Sequence, residues 1–215
     1  MTKVLITAGP TQEPIDDVRF ITNASSGKMG AALAEEARRR GYEVTLVHGP
    51  VDIKLPDVKK IRIKTAREMV DAVMGELKHR YSIMISCAAI SDYSPKKVCG
   101  KIKSGKCINL VLEPTPKLID EARRMHPQLF IAAFKAEYGM RRDELRIVAE
   151  EFLKKKKVDL VVANDIEKNP FGSETTEAIL VNRNTVKELG VCSKMDTARH
   201  IWDEIELMRM ASCPV

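Results

Sequence analysis

The chain has 215 residues, 44% of them hydrophobic and 31% charged, with a net charge of +6. This is the composition of a soluble globular protein with one good core. It excludes a membrane span, because the longest apolar run, Leu129–Phe134, is far too short, and with 5% aromatic residues it excludes a stacking platform for single-stranded nucleic acid.

Apolar runs alternate with helical periodicity along the chain. Strands are predicted over 3–8, 43–48, 59–63, 82–88, 128–134 and 158–163, and helices over 27–40, 66–80, 115–125 and 140–157. The first helix closes on Arg38-Arg39-Arg40-Gly41, basic residues and then a glycine stop. That cluster and Lys154–Lys157 are read as solvated helix ends facing the negative helix terminus. Strands reading Val-Leu-Ile, Ile-Met-Ile and Leu-Val-Val are apolar on both faces, as a covered parallel sheet requires. The expected fold is α/β, a doubly wound Rossmann-like parallel sheet forming a single domain over 1–215.

Two segments interrupt the alternation. Residues 93–114 carry Pro95, Gly100, Gly105 and Pro114 among five lysines, with an extra strand expected at Cys107–Glu113. Its glycines suit a flap over about 93–107, or equally a solvated hairpin. A turn-rich stretch near 166–190 ends in strands at 177–182 and 185–189, then a helix at 195–211. Five cysteines (Cys87, Cys99, Cys107, Cys192, Cys213) form no C-x-x-C pair, the four histidines lack metal spacing, and no charged-then-apolar leader precedes the first strand. A reduced, cytoplasmic setting without a zinc site is expected.

The most informative stretch is Asn23–Gly30, N-A-S-S-G-K-M-G, where the first helix opens. Gly27 and Gly30 admit close backbone approach, and Ser25 and Ser26 offer caps or hydroxyl donors. Unpaired helix N–H groups there attract an anion. Ligands of doubly wound sheets sit beyond the strands' C-terminal ends. Four polar exits meet there: Ala8–Thr11 with Gly9, Cys87–Tyr93 with Ala88 and Asp92, Ala133–Glu137 with Phe134, and Ala163–Asp165 with Asn164. Asp92 is placed either to help hold a divalent cation or to cap a turn. G-x-x-x-x-G-K-[ST] and G-x-G-x-x-G are both absent, since Gly27-Lys28 is followed by Met29 and Gly9 stands far from Gly27. The residues alone therefore indicate an α/β protein that binds a nucleotide or phosphate. They leave open an NAD(P)-dependent oxidoreductase and a non-enzymatic nucleotide- or RNA-binding module.

The block I-T-A-G-P-T-Q-E-P-I-D-D-V-R-F-I-T-N-A-S-S-G-K-M-G, followed by L-V-H-G-P, C-A-A-I-S-D-Y, K-I-K, Phe134–Glu137 and V-A-N-D, resembles the phosphopantothenoylcysteine synthetase family over nearly the whole chain. The resemblance implies a two-step ligation of coenzyme A biosynthesis. The carboxylate of 4′-phosphopantothenate attacks a nucleoside triphosphate, CTP in bacterial-type members and ATP in eukaryotic ones, with Mg²⁺; cysteine then displaces the nucleotide. It further implies catalytic roles for Asn23, Lys101 and Arg19. Asn23 would steady the acyl-nucleotide, Lys101 would sit on a mobile flap, and Arg19 would recognise anionic substrate. Phosphopantothenate would meet Arg19, Asn23, Ser25, Ser26, Gly27 and Met29. The nucleotide would meet Gly9, Ala88, Asp92, Lys101, Phe134, Asn164 and Asp165, with Asp92 a possible Mg²⁺ contact, mainly through the phosphates. A homodimer exchanging 107–114 and 166–190 is expected, with no nucleic-acid or membrane partner. Lys135 and Ala133 depart from alanine and glycine common in bacterial members, and K-I-K-S departs from K-I-K-K.

Overall fold

A computed structural model of the chain describes residues 1–211, so Cys213 lies outside the described residues. The chain opens with strand β1 (Lys3–Ala8) and a small antiparallel hairpin, β2 (Gln12–Pro14) and β3 (Phe20–Thr22), before helix α1 (Lys28–Arg39). Strands β4 (Glu43–His48) and β5 (Lys59–Arg62) lead to α2 (Ala66–Leu77) and β6 (Ile83–Ser86). Next come the short strands β7 (Tyr93–Pro95) and β8 (Leu112–Pro114), which pair antiparallel, then α3 (Leu118–Met125) and β9 (Phe130–Glu137). Helix α4 (Arg142–Lys156), β10 (Leu160–Asp165), β11 (Thr175–Val181), β12 (Val186–Ser193) and α5 (Lys194–Ala211) complete it.

Eight strands form one sheet in the order β12-β11-β10-β9-β6-β1-β4-β5. Strands β5, β4, β1, β6, β9 and β10 run parallel, as expected, and β11 and β12 add an antiparallel edge. One core layer packs under α1 and α5, the other under α2, α3 and α4. Trp202 of α5 is fully buried and donates its indole N–H to the Leu33 carbonyl of α1 at 3.0 Å. Helix α1 lies unusually close to β1, because a Cβ on Gly30 would stand 2.4 Å from that of Ala8.

The elements fall near their predicted positions, with three corrections. The 9–27 insertion contains the β2–β3 hairpin, whose strands of three residues carry too little pattern to announce themselves. It is seated by tertiary contacts: buried Glu13 accepts the Ala66 N–H at 2.8 Å, and the Gln12 N–H reaches the Lys64 carbonyl at 2.7 Å. Secondly, the strand expected at Cys107–Glu113 is confined to Leu112–Pro114, because β7 offers only three residues to pair with. Thirdly, the serines do not cap α1 from the N-cap position. Gly27 occupies it in the left-handed region at φ 77°, and Ser26 Oγ is a long 3.4 Å from the Lys28 N–H.

Candidate functional site

The strand order reverses direction between β1 and β6, and a cleft of about 370 Å³ opens above that point. Its floor is a mesh of backbone tied to hydroxyls. Thr7 Oγ1 accepts the N–H of Cys87 and Ala88 at 3.2 and 3.1 Å, and Thr11 Oγ1 accepts that of Ser91 at 3.0 Å. Ala89 donates to the Gly9 carbonyl at 2.9 Å. Gly9 is thus held beneath the cleft rather than in its lining, and its left-handed φ of 74° and a 2.6 Å approach of Val51 to any added Cβ leave no room for another residue.

One wall is the first turn of α1. Asn23, Ser25, Ser26, Gly27 and Met29 all face the cleft. Asn23 is half-buried, and its Nδ2 donates to the Ala89 carbonyl at 3.0 Å, which fixes the amide over the floor with one N–H to spare. The strand exits supply Ala88, Asp92, Phe134 and Asn164. Phe134 packs against the α1/α5 core layer. Lys135 also lines the cleft, with its ammonium paired to Glu137 at 2.7 Å and 5.8 Å from the Phe152 ring centre of α4.

Asp165, in contrast, is buried beneath the exit, where Oδ1 accepts the N–H groups of Gly139 and Glu167 at 2.9 and 3.0 Å. It shapes a turn and does not line the cleft. Asp92 is exposed and ion-paired to Lys117. Among the described residues no three carboxylate, histidine or cysteine groups cluster as metal ligands, so Asp92 by itself does not amount to a protein-held cation site.

Arg19 and Lys101 stand outside the cleft lining. The Arg19 guanidinium pairs with Asp16 and donates to the Ile102 carbonyl at 2.8 Å. Asp16 Oδ2 also accepts the Ile102 N–H at 3.0 Å, while Oδ1 accepts those of Val18 and Arg19 at 2.8 and 2.7 Å. Asp17 binds the Gly100 N–H at 2.7 Å and pairs with Lys97 at 2.6 Å. The stem of the 93–114 excursion is thereby pinned to the β2–β3 hairpin. The Arg19 guanidinium holds the Asp16 carboxyl far below the usual carboxylate range, and Lys97 lowers that of Asp17. A lowered carboxyl stabilises the fold above the ordinary carboxylate range and loses that effect only as pH falls through its own depressed value. The latch is therefore intact throughout the neutral and mildly acidic range.

Sequence reasoning missed Lys194, the first residue of α5, which enters the cleft from the far side, and Phe171 and Gly172, which follow β10. No local motif marks them. Lys28 was quoted in the motif without a role; its ammonium binds the Gly172 carbonyl at 2.9 Å and the Glu174 carboxylate.

A larger cavity of about 1310 Å³ lies at the opposite end of the strands, lined by Arg123, Arg124, Lys155, Lys156, Lys157 and Arg209. Helices α3, α4 and α5 all end there, and cations are what three negative helix termini attract. The predicted helix-end reading of Lys154–Lys157 thus accounts for that charge. Among the described residues no helix is long and apolar enough to cross a membrane.

A family model described as the DNA/pantothenate metabolism flavoprotein C-terminal domain matches residues 1–208. A Thermococcus kodakarensis protein named coenzyme A biosynthesis bifunctional protein CoaBC is 45% identical over 208 residues, covering 96% of this chain and 51% of its own length. The chain spans about half the length of the curated relatives it matches. The crystal structure of the C-terminal domain of a protein of that name superposes with a TM-score of 0.83 at 32% identity, covering 98% of this chain and 97% of the other. A DNA/pantothenate metabolism flavoprotein from Streptococcus pneumoniae gives 0.86 at 26% identity, over 97% and 100% respectively.

Proposed function

We propose that this chain, which belongs to the phosphopantothenoylcysteine synthetase family through its match to the DNA/pantothenate metabolism flavoprotein C-terminal domain, joins cysteine to 4′-phosphopantothenate at the expense of a nucleoside triphosphate. The observation that carries the reading is the cleft itself. It juxtaposes the Asn23 amide, the open first turn of α1 and an apolar slot at Ala88 and Phe134, so a phosphorylated acid and a nucleotide can lie side by side.

The chemistry follows from the poor reactivity of a carboxylate. One carboxylate oxygen of phosphopantothenate attacks the α-phosphorus of the triphosphate, forming an acyl–phosphate anhydride bond and expelling pyrophosphate. The cysteine amine then attacks the acyl carbon, the amide bond forms, and the nucleoside monophosphate departs with the bonding pair as the amine loses a proton. Asn23 supports the second step: it lines the cleft and its Nδ2 keeps a second proton that the Ala89 carbonyl does not use, available to the negative charge that develops on the acyl oxygen. The first turn of α1 supports phosphate binding through N–H groups that no side chain of the N-cap residue covers. Lys101, on the flap that Asp16 anchors, supplies positive charge to the triphosphate when the flap folds over the cleft.

The chain assembles no ligand cluster of its own among the described residues, so a divalent cation would be held through the nucleotide's phosphates, where it would offset their charge. CTP is the proposed nucleotide. Lys135, the departure inside the base-reading segment, lines the same cleft as Phe134, and its charge is answered within the chain by Glu137.

The test mixes the chain with 4′-phosphopantothenate, cysteine, Mg²⁺ and either CTP or ATP. Pyrophosphate and the amide product are expected in equal amounts, with CTP the better nucleotide. No product with any nucleotide would end the ligase reading, and product from ATP alone would end the CTP assignment.

Two copies are proposed to pair through the 107–114 segment, which exposes Ile108, Leu110, Val111 and Leu112, Val111 to 76%. A contiguous apolar strip on an otherwise charged surface is an association site. Light scattering at micromolar concentration is expected to give twice the chain mass; a monomer mass would contradict the pairing.

A further inference from the structure

We infer that Lys194 is the cation that receives the phosphate group of the pantothenate substrate, gripping it between the first turns of α1 and α5. The inference rests on the ligase reading for the substrate's identity, and it adds a residue that lies far in sequence from the Asn23–Gly30 motif.

Lys194 begins α5, where its own N–H is held by the Glu174 carbonyl at 3.1 Å. Its side chain is half-buried and lines the cleft together with Ser26, Gly27 and Lys28. The two lysines are not in the same electrostatic state. Lys28 is neutralised by the Glu174 carboxylate and the Gly172 carbonyl. Lys194 has no ion pair or side-chain hydrogen bond among the described residues; the Glu174 carboxylate, paired with Lys28, acts on it only from beyond ion-pair distance. Burial holds its pKa below the ordinary lysine value, and the like charge of Lys28 adds to that, while Cys87 and the Glu174 carboxylate act the other way without cancelling it.

A partly desolvated ammonium without a direct ion pair is unfavourable, and the folded chain retains one at the rim of a cavity. The opposite wall of that cavity is also positive. The first-turn N–H groups of α1 have no acceptor inside the helix; that of Lys28 has a long 3.4 Å contact to Ser26 Oγ, and Gly27 offers no side chain to cover the others. An ammonium and a helix N-terminus facing one space have one chemical partner in common, a compact dianion with several acceptor oxygens. A phosphate monoester fits that description. The carboxyl end of the same substrate then extends along the floor towards Asn23 and Ala89, which places the reacting atoms away from the gripping group.

The experiment is calorimetric titration of the full chain and of Lys194→Met with 4′-phosphopantothenate and, separately, with pantothenate, which lacks only the phosphate. The unaltered chain is expected to prefer the phosphorylated acid. Lys194→Met should weaken that binding by about 10- to 100-fold, the range for one charge-assisted hydrogen bond, and leave pantothenate binding unchanged. Lys194→Arg should restore most of the affinity. Unliganded Lys194→Met should melt at or above the unaltered chain, since a cation without a direct ion pair has been removed, whereas a structural lysine would lower the melting temperature when lost. Equal weakening of both acids, no weakening of either, or no preference in the unaltered chain would overturn the inference. Phosphate-selective binding that Lys194→Met abolishes, in a chain that forms no amide with any nucleotide, would end the ligase reading and leave Lys194 in its role.

Discussion

Asn23→Ala is expected to slow amide formation by about 10²–10³-fold while nucleotide-dependent pyrophosphate release stays within a few-fold of the unaltered chain. The separation follows from where the amide sits. Asn23 Nδ2 uses one proton to hold the Ala89 carbonyl at 3.0 Å and leaves the other over the cleft floor. Activation of the carboxylate moves charge onto the triphosphate, which the flap and helix terminus serve. Attack by cysteine instead creates an alkoxide-like oxygen on the acyl carbon, within reach of the amide. The effect belongs to the second half-reaction, so the acyl-nucleotide should accumulate and be trapped by rapid acid quench. Equal slowing of both half-reactions would show that the asparagine merely props the loop after β6.

Asp16→Asn should slow pyrophosphate release by about 10²-fold, the cost of misplacing a catalytic group by roughly an ångström, and should do so through Lys101. The two carboxylate oxygens have different tasks. Oδ1 holds the Val18 and Arg19 amides at 2.8 and 2.7 Å, and asparagine retains that acceptor. Oδ2 gathers the Arg19 guanidinium and the Ile102 N–H, and asparagine presents a donor to these donors instead. The hairpin turn should thus survive while the flap stem comes loose, which hydrogen exchange of the 97–106 amides will register. In a Lys101→Ala background the same substitution should add little, because residues acting as one unit are not additive. Independent, multiplying losses would show that Asp16 serves the fold and not the flap.

Much of this architecture was legible in the sequence. Val4-Leu5-Ile6, Ile83-Met84-Ile85 and Leu160-Val161-Val162 are buried on both faces, and such runs have few homes other than a covered parallel sheet. Asn23–Gly30 was legible as a tight entry into α1 because Gly27 adopts φ 77° and Gly30 allows α1 within reach of Ala8, requirements that glycine alone meets cheaply. Arg19 and Asp165 were not legible in the same way. The type and position of each suggest a ligand contact, yet each has a protein partner brought to it by folding: Ile102, 83 residues along the chain, for Arg19, and the Gly139 N–H, 26 residues back, for Asp165.

The sequence by itself determined the α/β layering and the one wall of the cleft built from contiguous residues, since hydrophobic period and glycine placement act over a few positions. Only the tertiary structure decided which charges remain unpaired in the cleft. Lys28 and Lys194 are both lysines near helix starts, and nothing local distinguishes them. Glu174, just before β11, ion-pairs with Lys28 and reaches Lys194 only from beyond ion-pair distance, because Coulombic partnership depends on distance in space and the chain reveals that only once it has closed.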